Sequence, residues 1–538
     1  MGRLDRDTAA EATVGYVAWM GRNVGSLLLL VAIWAPGSAS GAGTSVRMPI
    51  YPRFFSHIEF LEDREASADA IVKQARLLSA RGIPAEQNLH RGEVQAAWFA
   101  QHRPEVIELL RDPAIDLAYH PHPMRPYTDL IRRFADLPWD EAVVAFSEFE
   151  RCEVDFSSGT MDCSRSGGLQ RLEEVIGRPV TGVCNGGPDA IPGFVFGHQR
   201  GIPIRLGDGV DRAADPSQPK AEPLFGRETY AIWYMGQLVL RHPAGARTLM
   251  MDVSVATTTR MIEALDPTIP HIFGVLGSDK ISAPGANEAA DARYRQGVTL
   301  EQLRPGPDLL TPPGKVASYW SNLGPMLDYL QREVGRRPPS RFIRNADLPQ
   351  LFVPAADTLS RAELKMLADM LAVDAPLPIE LPVGDRTVSL ADAWQGLSGA
   401  LLIWQGIGAL PDTVAVGGLL GPIGDPLLPG PPDPARRAPV LPLALLGQLK
   451  VGLKADRVSY ELAGAPGQDP IFAAEQLRLF AELYRQVDAG GSPGPLTRPL
   501  APPTLVPAGA PVKAPALRRR WGWYTAMQYW TAKRARWR

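Results

Sequence analysis

The chain has 538 residues, 45% of them hydrophobic, and a formal net charge of −2. This length predicts about two or three domains with cores of ordinary hydrophobic content. A charge so close to zero gives no general attraction to nucleic acid, so we expect no specific nucleic-acid partner. Proline and glycine are abundant, at 52 and 51 residues, and we expect much of the proline to lie in linkers.

The first 42 residues have the pattern of a secretory signal. Arg3, Arg6 and Arg22 precede an apolar run at 27–34, which small residues follow. A positive flank, a short apolar stretch and a small-residue exit are typical of signal peptides, with cleavage expected near 40–42. The run is shorter than the ~20 residues that cross a bilayer comfortably. We therefore expect export to the periplasm or cell envelope; a disordered cytosolic leader and an uncleaved anchor are the alternatives.

Residues 45–350 alternate between apolar strands and amphipathic helices. The first elements, in chain order, are a strand at 46–60, a helix at 66–81, a strand at 87–90, a helix at 94–110, a strand at 115–119, helices at 127–134 and 169–176, and a strand at 180–184. Later candidates are strands at 230–241, 250–257, 269–276 and 342–344, and a helix at 320–334. Strands separated by helices of about 10–15 residues indicate parallel βαβ units. The predicted fold class is α/β, an irregular (β/α) barrel.

Polar side chains able to bind metal or substrate follow two of these strands. His57 and Glu59 alternate at the end of the first strand, and His120 and His122 follow the strand at 115–119. Residues i and i+2 of a strand point to the same face, so each pair projects from one edge. Because functional groups collect at the carboxyl ends of parallel strands, we expect the pairs to meet. The alternatives are a solvated salt bridge and a proline-rich turn.

Three further residues lie near predicted strand ends. His90 ends the strand at 87–90 on the same edge, although a lone histidine is more often structural. Asn185 opens an Asn-Gly-Gly turn whose N–H groups are able to donate to an oxyanion. Asp279 is a candidate substrate contact. The plain interpretation of Asn185 and Asp279 is a turn or surface position.

Three cysteines fit an exported protein. Cys152 and Cys163 bracket a polar loop, and in an oxidising compartment they are the expected disulfide pair. Cys184 is then the odd residue, expected to be buried. Because the sequence has no Cys-x-x-Cys, a structural zinc ribbon is not expected.

The rest of the chain divides by composition. Residues 354–490 read as a small, mainly helical accessory domain, with helix caps at Ser360 and Ser389. A Pro/Gly-rich linker at 491–516 leads to a tail at 517–538 with seven basic residues, no acidic residue and six aromatics. We expect a disordered tail that contacts an anionic membrane surface or a stacked polymer. A merely solubilising tail is the alternative.

The order of these motifs resembles that of the polysaccharide deacetylase superfamily, the NodB-type carbohydrate esterases with an irregular (β/α) barrel. His57 and Glu59 stand where that family has paired aspartates, 119–122 where it has a two-histidine motif, and 183–187 where it has a third motif. The chain departs from the family in three ways: His-x-Glu replaces Asp-Asp, its histidines are two rather than four residues apart, and the third motif lacks arginine. The resemblance covers about 45–210.

The resemblance implies a metal-dependent active site. His120 and His122 would bind a divalent metal, with zinc the first candidate, and Glu59 would be the third ligand. Glu59 and His57 would also supply the catalytic acid–base groups, with a further metal ligand the alternative role of His57. The implied function is an exported hydrolase in which metal-activated water attacks an N- or O-acetyl group of a carbohydrate polymer. A glycoside hydrolase of a related seven-stranded barrel and a barrel that binds envelope glycans without catalysis are the alternatives.

Overall fold

The fold is known from a computed structural model. The residues that it describes are 47–58, 64–120, 134, 137–155, 158–184, 192–206, 231–240, 249–250, 253–278, 282–283, 311–373, 377–378, 380–422, 440–452, 457–458, 461–462, 471–497 and 530–538. Arg47–Arg538 form one compact unit. The predicted leader and most of the predicted linker lie outside the described residues.

Strands and helices alternate in the first part of the unit. The described strands, in chain order, are β1 (Ile50–His57), β2 (Ala85–Leu89), β3 (Ile115–Tyr119), β4 (Cys152–Asp155), β5 (Thr160–Ser166), β6 (Gly182–Cys184), β7 (Ile204–Leu206), β8 (Ala231–Tyr234), β9 (Gln237–Leu240), β10 (Leu249–Met250) and β11 (His271–Ser278). The described helices are α1 (Arg64–Ser79), α2 (Ala96–His102), α3 (Pro104–Arg111), α4 (Trp139–Arg151), α5 (Gly168–Ile176), α6 (Pro192–Gln199), α7 (Val255–Glu263) and α8 (Pro313–Gly335).

One mostly parallel sheet dominates this part, in the order β10-β11-β1-β2-β3-β6-β7-β9-β8. Every neighbouring pair from β10 to β9 is parallel, and only β8 runs antiparallel to β9. β1 pairs with both β2 and β11, so the first strand of this part of the chain is the neighbour of its last strand. No ladder joins β9 to β10 in the described residues. The mixed α/β class with a parallel sheet is therefore confirmed, and the closed barrel stays a prediction.

Some predicted elements are divided differently. The helix expected at 94–110 is two helices, because Arg103 leaves the helical region and Pro104 occupies the first position of α3. The strand expected at 230–241 is the hairpin β8–β9. Met235 and Gly236 have φ of 49° and 71°, which is the backbone of a tight two-residue hairpin turn.

Two other predicted strands are wrong over most of their length. In 250–257 the chain starts α7 at Val255, because the Ser254 hydroxyl accepts a hydrogen bond from Thr257 N and caps the helix. Residues 342–344 are not a strand; a 3₁₀ helix, Asn345–Leu351, follows them directly. The helix expected at 127–134 lies almost wholly outside the described residues.

The second part is mainly helical, as its composition indicated. Its described helices are α9 (Arg361–Leu371), α10 (Leu390–Ile407), α11 (Pro442–Gly452) and α12 (Ala473–Asp488), and its short strands are β12 (Thr358–Ser360), β13 (Leu381–Val383), β14 (Arg386–Val388), β15 (Thr413–Ala415), β16 (Glu461–Leu462) and β17 (Ile471–Phe472). Both predicted helix caps are present, since Ser360 and Ser389 each accept from the third residue of the following helix. Buried aliphatic residues from all four helices form one core.

Residues 530–538 correct the expectation of a disordered tail for the described end of that tail. A last strand, β18 (Lys533–Arg534), pairs antiparallel with β8 and is the tenth strand of the sheet. Trp530 is fully buried in the helical core, and the ring of Trp537 lies 4.6 Å from that of Phe352. The edge of β8 supplies backbone partners and the aromatic rings bury apolar surface, so this charged segment is ordered.

The packed tryptophans also bear on the expected membrane contact. Trp530 is not available to a membrane interface in this arrangement, and Trp537 is half-buried. Residues 517–529, on which the membrane prediction now depends, lie outside the described residues. In the part of the chain that the structure describes, no helix is both long and apolar enough to cross a membrane.

Candidate functional site

The strands β1, β2 and β3 each present one face to the helices and one to the inside of the curved sheet. On β1, Ile50 and Phe54 pack in a buried cluster with helix residues such as Leu78 and Leu327. Because side chains alternate along a strand, the intervening residues of β1 point inward.

An apolar cluster fills one end of this interior. Tyr51 of β1 and Ala118 of β3 lie in it with Ile204 of β7, and Leu348 and Phe352 join them from the 3₁₀ helix and the residue after it. The segment around the 3₁₀ helix therefore covers the amino ends of the strands. The carboxyl ends are left for polar side chains.

Three histidines meet at that carboxyl edge. His57 ends β1, and His90 and His120 directly follow β2 and β3. The ring centroids of His57 and His120 are 4.4 Å apart, and those of His90 and His120 are 4.8 Å apart. His90 and His120 are almost fully buried, whereas His57 is partly exposed. The ladder continues past the strands, since His120 N donates to Leu89 O at 2.7 Å.

A buried glutamine fixes the position of His90. Gln95 Oε1 accepts from His90 N at 2.7 Å, and Gln95 Nε2 donates to Ile58 O at 2.7 Å. Gln95 is fully buried. One side chain therefore ties the end of β1 to the end of β2, and with them two of the three histidines.

A layer of buried charge lies below the histidines. Arg53 of β1 donates from Nε and Nη2 to both carboxylate oxygens of Glu86 on β2, at 2.7 and 3.0 Å. Asp116 is the register partner of Glu86 on β3, and its Oδ2 accepts from Asn345 N. Burial, together with the Glu86 charge, raises the pKa of Asp116 from 3.8 to about 6. These side chains supply one cation and two carboxyl groups within a few residues of the cluster.

A disulfide-bonded hairpin supports the loop that carries His90. Cys152 of β4 and Cys163 of β5 are joined by a disulfide bond. Cys152 O accepts from Arg91 Nη2 at 3.1 Å, and Arg91 Nε is paired with Glu93 at 2.7 Å. This hairpin is thus connected through Arg91 to the residue next to His90.

The remaining predicted site residues cannot be placed against this cluster. Four of them lie outside the described residues: Glu59, His122, Asn185 and Asp279. The side chain of Cys184, the expected odd cysteine, also lies outside them. Of the predicted histidines, His57 and His120 come together, and His90 joins them.

The described histidines do not by themselves fit a metal ion. Within the described residues, no group of three or more His, Cys, Asp or Glu side chains is able to hold one. The rings of His90 and His120 are inclined by only 16°, so their in-plane lone pairs lie in two nearly parallel planes. Lone pairs on stacked rings 4.8 Å apart do not converge on one ion at the ~2 Å of a zinc–nitrogen bond. A metal site here depends on Glu59 and His122.

Sequence reasoning missed the charged layer and the asparagine that touches it. One signal was present: β2 carries the consecutive polar residues Glu86, Gln87 and Asn88, and all are buried. A strand with polar residues on its inner face is typical of a lined site rather than of a packed core. No local signal predicts Asn345, which lies 229 residues beyond Asp116.

The comparisons with known proteins place the chain in no family. No protein-family model matches the sequence, and no curated protein matches it significantly. Three solved chains match. One is the crystal structure of 4-alpha-glucanotransferase from Thermococcus litoralis, at 12% identity and a TM-score of 0.35, over 61% of this chain. The match spans 44% of that protein, less than half of its length.

Proposed function

We propose that the chain is an exported hydrolase that removes acyl groups from a carbohydrate polymer, with His57, His90 and His120 in its active site. The observation that carries the proposal is the meeting of three imidazoles from the ends of three adjacent parallel strands. The carboxyl edge of a parallel sheet is where such folds place their catalytic groups. The acylated-carbohydrate substrate rests on the motif resemblance of residues 45–210.

His57 is the proposed general base, because it is the partly exposed member of the cluster. Its imidazole takes a proton from the attacking water while the water oxygen bonds to the acyl carbon. The tetrahedral intermediate then breaks its bond to the sugar nitrogen or oxygen, and the imidazolium returns the proton to that leaving atom. Acetate and the deacylated sugar are the products.

The charged layer lies below the histidines, since Asn88 and Ala118 separate it from His90 and His120 along β2 and β3. The two carboxyl groups, Glu86 and Asp116, have Arg53 and Arg344 as nearby positive charges, so the layer brings little net charge to the imidazolium that forms in this step.

A divalent metal belongs to the proposal only through residues outside the described part. Glu59 and His122 would complete its ligand set with His120, and the bound ion would polarise the acyl carbonyl. Purified protein should then contain a stoichiometric divalent ion. Loss of the bound ion and of stability in the double variant His120→Ala, His122→Ala would agree with this ligand set, whereas a metal-free wild type with unchanged stability in that variant would contradict it.

The proposal is tested by acetate release from an N-acetylated and an O-acetylated glycan polymer. His57→Gln and His120→Gln should each lower kcat by about 100-fold or more. His102→Gln is the matched control, because His102 is an exposed histidine on α2. If no acetate is released by the wild type, or if all three variants behave alike, the proposal is wrong.

A second candidate, a metal-free glycoside hydrolase, is favoured by the raised pKa of Asp116. A carboxyl group with a pKa of about 6 next to the carboxylate Glu86 has the properties of a general acid and its partner. New reducing ends without acetate, formed in the presence of a chelator, would favour this candidate. Saturable glycan binding with no product at all would instead favour a non-catalytic binding protein.

Export is supported by the disulfide bond between Cys152 and Cys163, since disulfides persist in oxidising compartments. Fractionation of cells that express the full chain, with amino-terminal sequencing of the mature protein, tests it. A protein found only in the cytosol with its first 42 residues intact would contradict export.

A further inference from the structure

The loop that carries His90 is packed tightly against α5. Gly92 N donates to Gly168 O at 2.9 Å, and a Cβ added to Gly92 would lie 2.0 Å from Leu172 N. The backbone of the loop therefore contacts the backbone of α5 directly. Because His90 is only two residues before Gly92, the position of its ring depends on how this loop is held.

Arg91 holds the other side of the loop. Its side chain is 4% exposed, its Nε donates to Glu93 Oε1 at 2.7 Å, and its Nη2 donates to Cys152 O at 3.1 Å. The guanidinium carbon lies 4.1 Å from the centroid of the Phe149 ring on α4. Glu93 Oε2 accepts in turn from Gly168 N at 2.7 Å. One buried guanidinium thus joins the loop to α4, to β4 and, through Glu93, to α5, with charge-assisted hydrogen bonds.

The disulfide bond fastens the hairpin of β4 and β5 where its ladder is interrupted. Cys152 and Glu153 are adjacent on β4, but the residues that pair with them on β5 are not adjacent, so 163–165 form a bulge. Cys163 lies in this bulge and is exposed, whereas Cys152 is buried. The disulfide therefore ties an exposed bulge to the residue whose carbonyl oxygen accepts from Arg91.

We propose that Arg91 is a positioning residue for His90 and that the disulfide between Cys152 and Cys163 controls it. The disulfide fixes Cys152 O, which fixes the guanidinium of Arg91. Arg91 then fixes the loop, so that the His90 ring stacks on the His120 ring at 4.8 Å. A catalytic group is effective only when neighbouring residues hold it close to its productive geometry. The inference rests on the proposed function and adds its regulation: the active site is fully assembled only after the disulfide has formed.

The redox step is a thiol–disulfide exchange. When the bond forms, the two cysteine thiols give two electrons and two protons to an oxidant disulfide, which becomes a dithiol. In the reverse direction, a thiolate of an external dithiol attacks the exposed Cys163 sulfur, and Cys152 leaves as a thiolate and takes up a proton. The second sulfur of the dithiol then closes its own disulfide and releases the Cys163 thiol. The chain is accordingly less active in a reducing cytosol than in an oxidising compartment.

The experiment reads the histidine rings directly. NMR spectra of the full-length protein labelled with 13C-histidine are recorded without substrate, before and after reduction with dithiothreitol, and the His90 signals are identified by their loss in His90→Gln. Reduction should shift the His90 ring signals. In the acetate-release assay it should lower kcat by about tenfold or more, because a displaced catalytic group slows the chemical step. KM should change by less than about twofold, because substrate binding is not affected.

Arg91→Met separates the positioning role from a general loss of stability. It removes the donors to Cys152 O and Glu93 and should shift the His90 signals in the oxidised protein as reduction does. Reduction of Arg91→Met should then lower kcat by less than about twofold more, because two changes in one chain of contacts are not additive. The matched control is Arg103→Met, which should respond to reduction as the wild type does. Arg103 is 17% exposed, and its ion pairs are with residues outside the hairpin: Glu65, Asp69 and Glu105.

Circular dichroism checks that each protein is folded in both redox states. If Arg91→Met does not fold, Arg91→Lys replaces it, since lysine keeps the buried charge and lacks the fork that reaches Glu93 and Cys152 together. Unshifted His90 signals on reduction would overturn the proposal. Reduction that unfolds the whole protein would also overturn it, because the disulfide would then act on the fold and not on His90. So would effects of reduction and of Arg91→Met that multiply to about 100-fold.

These outcomes are separate from the fate of the proposed function. A shift of the His90 signals on reduction, with no acetate released by the oxidised wild type, keeps the positioning role and refutes the hydrolase. Acetate release at the same rate by the oxidised and the reduced protein keeps the hydrolase and refutes the control by the disulfide.

Discussion

The buried ion pair between Lys533 and Asp392 gives the sharpest test of how the chain end is held. Lys533 Nζ lies 2.6 Å from Asp392 Oδ2, and the two side chains are only 2% and 3% exposed. Lys533 belongs to β18, whereas Asp392 lies in the first turn of α10 and also accepts from Ser389 N at 3.1 Å. The pair therefore connects the tenth strand of the sheet to the helical part.

Lys533→Met should be strongly destabilising. Among the described residues, the substitution leaves the buried carboxylate with one backbone N–H as its remaining bond. Loss of one partner of a buried pair costs about 3–5 kcal/mol. That is a large share of the roughly 5–15 kcal/mol that stabilises a typical folded protein. Lys365→Met is the control. Lys365 Nζ lies 3.6 Å from Asp369 Oδ2, and the two side chains are 57% and 49% exposed. An exposed pair of this kind contributes about 0.5 kcal/mol or less.

Urea unfolding of the full-length protein, followed by circular dichroism, measures both effects. The double variant Lys533→Met, Asp392→Asn should recover most of the loss, because no unpaired charge stays buried and the asparagine still accepts from Ser389 N. The reasoning is refuted if Lys533→Met costs no more than Lys365→Met. It is also refuted if the double variant is as unstable as Lys533→Met alone.

Three other predictions concern the support of the site. Asp116→Asn should not change the free energy of unfolding below about pH 4 but should raise it by up to about 3 kcal/mol above pH 6. The reason is that folding raises the pKa of Asp116 from 3.8 to about 6, so the folded protein binds this proton more tightly than the unfolded chain does. Urea titrations across this pH range check the prediction, and a difference independent of pH contradicts it. The double variant Cys152→Ser, Cys163→Ser should have a free energy of unfolding about 3 kcal/mol lower, because the disulfide closes a loop with a sequence separation of 11. Dithiothreitol should have no further effect on the stability of this variant. Gly92→Ala should lower the free energy of unfolding by about 2 kcal/mol or more, because the added Cβ would lie 2.0 Å from the backbone of α5. In Gly177→Ala the added Cβ meets no atom within 4 Å, so only the strain of a φ of +83° remains, about 1–2 kcal/mol. Equal losses of stability in thermal unfolding would refute this prediction.

The sequence was sufficient to predict features that depend on residues close together in the chain. The predicted carboxyl ends of two strands placed His57 and His120 on one edge of the sheet, and their rings lie 4.4 Å apart. Ser360 and Ser389 were readable as caps because the capping partner is three residues away. Elements whose partners are near in sequence are therefore the ones that a single sequence predicts.

Contacts between distant segments were not readable. The tail looked disordered because its composition is basic and aromatic, yet the edge of β8 that orders Lys533 is 300 residues away in sequence. Asn345 reaches Asp116 only because the 3₁₀ helix covers the amino ends of the strands. The hairpin at Met235 was missed for a different reason, since a methionine with positive φ is rare and gives no turn signal.

The interior of the sheet is polar on the side of β1 to β3 and apolar on the side of β7 and β9. In the layer of Asn88 and Ala118, the strands on one side carry polar or small residues, whereas Ile204 of β7 and Leu238 of β9 are buried and apolar. Stability does not explain the polar side, because a buried pair such as Arg53 with Glu86 is often no better than well-packed hydrophobic residues. Replacement of both Arg53 and Glu86 by apolar residues of similar volume should therefore change binding or rate more than stability, and substitutions at Ile204 and Leu238 should do the opposite. The reacting group of any substrate is accordingly expected on the β1 to β3 side, beside His120.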